Sequence, residues 1–233
     1  TSIGNYSFYY CSSLTSVEIP DSVTSIGYDA FYGCDKLVEV INHSALNITA
    51  GLSKYGFVGY YAKEVHTGES KIVNVDDYLF YSYGGVNYLI GYVGNDTELV
   101  LPDKYNGEAY QIYRYAFYRC DSLTSIIIPN GITNIERWAF ADCKNLLNVT
   151  IPNSVIEFGD NIFNDCRKLS AFYGDYASDD NRCLIINSTL NSFAPYGLES
   201  YTIPERVTHI GPYAFYYSTF TSVTLHDQIK SIG

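Results

Sequence analysis

Cysteine is the residue here whose spacing most invites chemistry. Cys11 and Cys34 stand 23 residues apart, as do Cys120 and Cys143, and Cys143 and Cys166. A sixth, Cys183, lies outside this register. Thiols can pair as disulfides, ligate metal or act as nucleophiles. No C-x-x-C spacing exists, so a zinc site is not expected. Cys183 with a distant histidine could make a thiol catalyst, but a core thiol with surface imidazoles is the favoured reading. His43, His66, His209 and His226 keep no motif spacing. Asp175, Asp179 and Asp180 cluster in "DYASDDN", where carboxylates could hold calcium. Their spacing is not that of an EF-hand loop, which leaves a solvated loop as the expectation. H-E-x-x-H, G-x-S-x-G, P-loop and G-x-G-x-x-G patterns are absent. The expected protein is not an enzyme and uses no metal or cofactor.

The cysteines mark a repeat. "AFYGC" (30–34), "AFYRC" (116–120) and "AFADC" (139–143) rewrite one idea. The full unit reads V-T-S-I-G-x-x-A-F-x-x-C-x-x-L-T-S-V-x-I-P, with a last copy over 207–225 that puts Ser218 in the cysteine slot. A unit this short cannot bury its own apolar face, whereas stacked units can, which is the logic of a solenoid. Leu14, Val17 and Ile19 follow the L-x-x-L-x-L spacing of a leucine-rich repeat. Val17 and Ile19 alternate with Glu18 as a half-buried strand does, and Pro20 ends it. Gly27 and Gly211 suit a tight turn. The Ala-Phe pair is expected to open a short helical or 3-10 turn on the convex side. Phe8, Phe31, Phe117, Phe140, Phe163 and Phe215 should fill one core slot. Cysteines stacked in parallel about 4.8 Å apart sit too far from one another for the Cβ separation of a bridge, so free thiols are expected.

The expected fold is a leucine-rich-repeat solenoid, with a parallel β-sheet on its concave face and two inserted β-hairpins. Residues 1–233 form one solenoid piece. Regular repeats cover 1–44, irregular hairpin-bearing coils 45–108, regular repeats 109–174, a hairpin-bearing coil 175–204 and a regular repeat 205–233. The hairpins are read at 78–94, turning at Gly85, and at 182–195, turning at Asn187-Ser188. "KYNG" (104–107) accounts for extra residues before Ile112. Val17, Val40, Leu99, Ile126, Val149, Phe172, Tyr201 and Val223 should line one parallel sheet, and about one more strand should hide between Val40 and Leu99. Both ends, "TSIG" and "KSIG", fall inside a repeat, which reads as a piece of a longer array.

Composition narrows the partners. The chain is 47% hydrophobic, enough for a core and too much for a disordered tail. A net charge of −11 without any basic run argues against nucleic acid and anionic membrane. Apolar stretches are too short to span a bilayer, so no membrane insertion is expected.

"VTSIGYDAFYGCDKL" and "SLTSIIIPNGITNIERWAFADCKNL" resemble the BspA-like leucine-rich repeats of bacterial and protozoan surface proteins. The resemblance covers nearly the whole chain and departs from the family at the two hairpin-bearing coils. It implies secretion or cell-surface display, and adhesion to extracellular or cell-surface proteins of a host or a neighbouring cell.

Two surfaces could bind. The register places Glu18, Glu39, Glu98, Ser125, Ile127, Asn148, Thr150 and Tyr173 at exposed positions of the concave face, with Tyr173 its one aromatic. The second surface is aromatic. Tyr9, Tyr32, Tyr118 and Tyr216 share the slot two before the cysteine position; Tyr6, Tyr115, Trp138 and Tyr213 share the slot five before it. Such stripes could hold a glycan if exposed and coplanar beside carboxylates, or could be half-buried packing between coils. Non-enzymatic protein adhesion is the favoured function, with a carbohydrate-binding module or a passive spacer as alternatives.

Overall fold

The computed structural model describes all 233 residues, in two compact units, Thr1–Ile90 and Gly91–Gly233. In the first unit, strands Ser16–Ile19, Glu39–Asn42 and Glu64–His66 form a parallel sheet with Val17, Val40 and Val65 in register. Glu64–His66 is the strand expected after Val40. The strands Val73–Val75, Tyr78–Tyr83 and Val86–Tyr92 follow. The Tyr78–Tyr83/Val86–Tyr92 hairpin turns at Gly84 and Gly85, both with φ near the left-handed region that a two-residue hairpin needs. Val73–Val75 adds a second antiparallel strand before it, through Asp76-Asp77.

In the second unit, Glu98–Val100, Ser125–Ile127, Asn148–Ile151 and Ala171–Gly174 form a four-stranded parallel sheet. Leu99, Ile126, Val149 and Phe172 are in register across it. The second hairpin, Cys183–Ile186 with Thr189–Phe193, turns at Asn187-Ser188 as expected. Ser200–Thr202 pairs with Ser222–Thr224, with Tyr201 opposite Val223. The eight aligned residues therefore occupy three parallel sheets instead of one. Beyond Phe172 the reason is visible. The Phe172 amide donates to the Asn181 carbonyl at 2.8 Å, and Tyr196 to Leu169 at 3.0 Å, so loops of the hairpin coil occupy the edge where Ser200–Thr202 would pair.

A second row of short parallel strands runs through the T-S-I-G segments. Ser2–Ile3 pairs with Ser25–Ile26. Tyr110–Ile112, Ile132–Ile135 and Glu157–Phe158 form a series, as do Thr189–Phe193, His209–Ile210 and Ser231–Ile232. Gly27 opens a turn as expected, its carbonyl accepting from the Ala30 amide at 3.4 Å, and it also serves this stacking. A Cβ there would lie 2.6 Å from the Asn5 amide nitrogen, so only glycine lets the two coils approach.

The expected helical or 3-10 turns do not form; the Ala-Phe segments are chains of turns without any helix. Two residues of each turn are left-handed. Five before the cysteine slot, φ is 58° at Tyr6, 49° at Asp29, 58° at Tyr115, 61° at Trp138, 57° at Asn161 and 57° at Tyr213. The residue just before the slot repeats this, from Tyr10 to Tyr217. The amides explain it. Trp138, Phe140 and Asp142 donate to the carbonyls of Asp160, Ile162 and Asn164 at 2.7–3.2 Å, in the next coil. Alternate N–H groups thus bond between coils instead of four residues back. Left-handed non-glycine residues cost about 1–2 kcal/mol each, a strain those bonds offset.

The core follows the repeat. Phe31, Phe117 and Phe140 are fully buried. Their rings stack along the array: Phe8–Phe31 at 4.8 Å, Phe117–Phe140 at 4.9 Å and Phe140–Phe163 at 5.4 Å, each within 12° of parallel. None of the six cysteines is in a disulfide.

Candidate binding surfaces

Strand alternation builds the open sheet face of the second unit. Leu99, Ile126, Val149 and Phe172 point into the core and are buried. Their neighbours point outward in two rows. Glu98, Ser125, Asn148 and Ala171 form one row; Val100, Ile127, Thr150 and Tyr173 form the other. Val100 is 65% exposed, and Ile127 and Tyr173 are 44% exposed. At about 4.8 Å per strand, this second row is on the order of 14 Å long. Six of the eight expected site residues stand together on this sheet, in a mostly apolar row beside a polar one. Ala171 is buried.

The remaining two, Glu18 and Glu39, lie in the first unit. Glu18 is exposed, and His43 Nε2 stands 3.3 Å from its carboxylate. Glu39, expected on an open face, is fully buried. The chain after the third strand folds across it. The Ser70 hydroxyl and the Lys71 amide (3.0 Å) donate to its carboxylate, and His66 Nε2 lies 3.2 Å away. Burial opposes the charge of Glu39, yet these hydrogen bonds outweigh it and hold the carboxyl below its usual range. Lys71 then reaches Glu64 at 2.6 Å, and Tyr81 donates to Glu64 at 2.9 Å. Glu39 is an anchor for the segment that covers it. Sequence reasoning missed this because Ser70 lies 31 residues further along the chain.

The aromatic slots reach the outer surface. Tyr6 and Tyr9 meet edge to face at 5.4 Å, and Tyr9 stacks on Tyr32 at 5.6 Å. In the second unit Tyr115 and Trp138 stack at 6.1 Å, 12° from parallel. Tyr213 and Tyr216 are 63% and 49% exposed. Asn161 and Asn164 occupy the same two slots in the coil of Cys166.

The groups considered for reaction chemistry are dispersed. Each histidine has its own local partner: His209 bonds Thr208, and His226 the Pro204 carbonyl. Cys183 is buried against the Tyr201 hydroxyl at 3.2 Å, and burial pushes its thiol up to about 12. Asp180 accepts from Ser178, from the Arg182 amide and from Tyr201, and these bonds hold its carboxyl low against the opposing effect of burial. Asp175 accepts from the Asn153 amide at 3.1 Å. No group of three His, Cys, Asp or Glu side chains converges as metal ligands would. No helix is long and apolar enough to cross a membrane.

The repeat, its in-register strands and its phenylalanine ladder agree with the comparison to known families. Residues 1–90 and 110–233 match the model of the BspA type leucine rich repeat region, in six copies. The chain belongs to this family. Solved structures resemble the BspA-type chain at the level of fold. A leucine-rich repeat protein from Eubacterium ventriosum is 18% identical over 97% of this chain and 70% of its own, with a TM-score of 0.50. A leucine rich cell surface protein from Faecalibacterium prausnitzii is 20% identical over 96% of this chain, with a TM-score of 0.45. The BspA-type chain spans 62% of that protein's length. The pneumococcal vaccine antigen PcpA is 19% identical over 99% of this chain and 70% of its own, with a TM-score of 0.43. No curated protein matches the chain.

Proposed function

We propose that this BspA-type chain is a non-enzymatic adhesion module, displayed at the cell surface or secreted, that binds an extracellular or cell-surface protein. The binding face is the open sheet of the second unit: Val100, Ile127, Thr150 and Tyr173, flanked by Glu98, Ser125 and Asn148. One observation carries the reading. These apolar side chains stand exposed in one in-register row, where a strand face turned only to water would alternate to polar residues. A mostly apolar centre beside hydrogen-bonding side chains is the anatomy of a protein interface. Solenoid sheets serve such contacts through shape, with little need for charge. The equivalent face of the first unit has Glu39 covered and is not part of the proposed site.

The experiment is binding of the chain to a panel of immobilised extracellular-matrix proteins, beside an Ile127→Lys variant. A charge at the centre of the row should abolish binding while circular dichroism stays unchanged. Equal binding by both chains contradicts the site. Binding to no panel member removes the adhesion reading and leaves a spacer.

A further inference from the structure

We propose that the outer side of the second unit carries a binding cleft for a neutral saccharide, walled by Trp138 and Tyr213 and floored by Asn161, Asn164 and Asp142. The cleft is separate from the open sheet and rests on different observations.

It exists because one convex turn is missing. After the turn holding Phe163, the chain forms the hairpin Cys183–Ile186/Thr189–Phe193 instead of another Ala-Phe turn. Phe193 fills the core beside Tyr201 and Phe215, at 4.6 and 5.1 Å. The next turn upward is Tyr213–Tyr217. A cleft of about 420 Å³ opens where the turn would have stood, within the range of small-molecule sites. Tyr118 and Trp138 lie on one side; Tyr213, Tyr216 and Tyr217 lie on the other. Tyr115 takes one face of Trp138, and Trp138 itself lines the cleft.

The floor specifies the ligand. Four buried side-chain oxygens in the protein lack a hydrogen-bond partner: Asp142 Oδ1, Asn161 Oδ1, Asn164 Oδ1 and Ser218 Oγ. The first three belong to residues that line this cleft. All three are acceptors, and buried acceptors left without donors are unfavourable. The Lys144 ammonium stands 3.4 Å from Asp142 Oδ1, and the Asp142 carboxyl also meets that of Asp165. A ligand that fits must offer several O–H donors together with C–H faces to lay on electron-rich rings. A sugar does both. Charge gives no pull towards an ionic ligand, because each carboxylate has its own cation: Asp142 pairs with Arg119 at 2.9 Å and Asp165 with Arg167 at 2.5 Å.

Trp138 is the single tryptophan of the chain, so its emission reports on this cleft. The test titrates the intact chain with soluble hexasaccharides of glucose, mannose, xylose, galactose and N-acetylglucosamine, up to about 10 mM, the weak end of specific binding. The expected result is a saturable change in Trp138 emission with at least one sugar. Tyr213→Asn and Asn161→Gly suit the left-handed backbone at both positions, and each should weaken binding about tenfold or more. Tyr173→Ala, on the other face, should leave it unchanged. Circular dichroism checks the fold of every variant. No saturable change with any sugar overturns the proposal, as does saturation that survives both cleft variants. A saturable response to an unglycosylated peptide pool in place of the sugars also overturns it.

Discussion

The Cys143 thiol donates to the Phe117 carbonyl 3.0 Å away, 26 residues earlier in the chain. Cys34 repeats the bond to Phe8 at 3.2 Å and Cys166 to Phe140 at 3.1 Å. In these three coils the cysteine slot thus ties the coil to the one before it through a thiol-to-carbonyl bond. A disulfide would remove the donor. Burial, the leading cause, also pushes the Cys34 thiol up to about 12, so it stays protonated and able to donate.

Alkylation should read this directly. In the native protein the exposed Cys11 should label first and Cys34, Cys143, Cys166 and Cys183 should resist. Unfolded without reductant, all six should label. A bridged Cys143–Cys166 peptide in mass spectrometry would refute the thiol ladder.

Phe140 sits mid-ladder, stacked on Phe117 and Phe163 and fully buried. Phe140→Ala should destabilise by about 3–5 kcal/mol through lost burial and a cavity. The loss should spread to adjacent coils, since repeat stability is coupled through interfaces. Urea unfolding measures it, and a change below about 1 kcal/mol would mean the ladder does not hold the array.

Asp29, at φ 49°, distinguishes left-handed turns from helices. Asp29→Gly should be tolerated, because glycine adopts this conformation freely. Asp29→Val should lose about 1–3 kcal/mol through backbone strain. Helical turns would reverse the order, with glycine the worse substitution. Thermal melts of the two variants settle which holds.

Glu39 should shape the acid limb of stability. Its folded pKa lies below the ordinary 4.5, so its contribution is complete above about pH 4.5 and is lost as pH falls through the folded value. Glu39→Gln should therefore destabilise by about 1–3 kcal/mol at pH 7, and the gap to wild type should narrow on acidification. A gap of constant size between pH 7 and pH 3 would show that the charge does not anchor the covering segment.

Much of this was legible in the sequence because it is local or periodic. Leu99, Ile126, Val149 and Phe172 pair as their spacing requires. Asn187-Ser188 and Gly84-Gly85 make the turns their residue types favour. The misses share another cause: partners supplied by a different coil. Phe140 bonds to Ile162 and so cannot join a helix. Gly27 answers to Asn5, and Glu39 to Ser70. The outer cleft was missed likewise. Asn161 and Asn164 look like lapses in an aromatic repeat until the hairpin removes the turn above them.

The central claim is that the open sheet of the second unit binds protein, and Tyr173 tests it most directly. It is the sole aromatic on that face and 44% exposed, so its removal leaves the core intact. The measurement is the dissociation constant for a matrix-protein ligand, determined for wild type, Tyr173→Ala and Tyr213→Asn. Tyr173→Ala should weaken binding by about 1–2 kcal/mol, roughly five- to thirtyfold, with unchanged circular dichroism. Tyr213→Asn should bind as wild type does. Equal affinity of wild type and Tyr173→Ala, or a loss confined to Tyr213→Asn, would contradict the account.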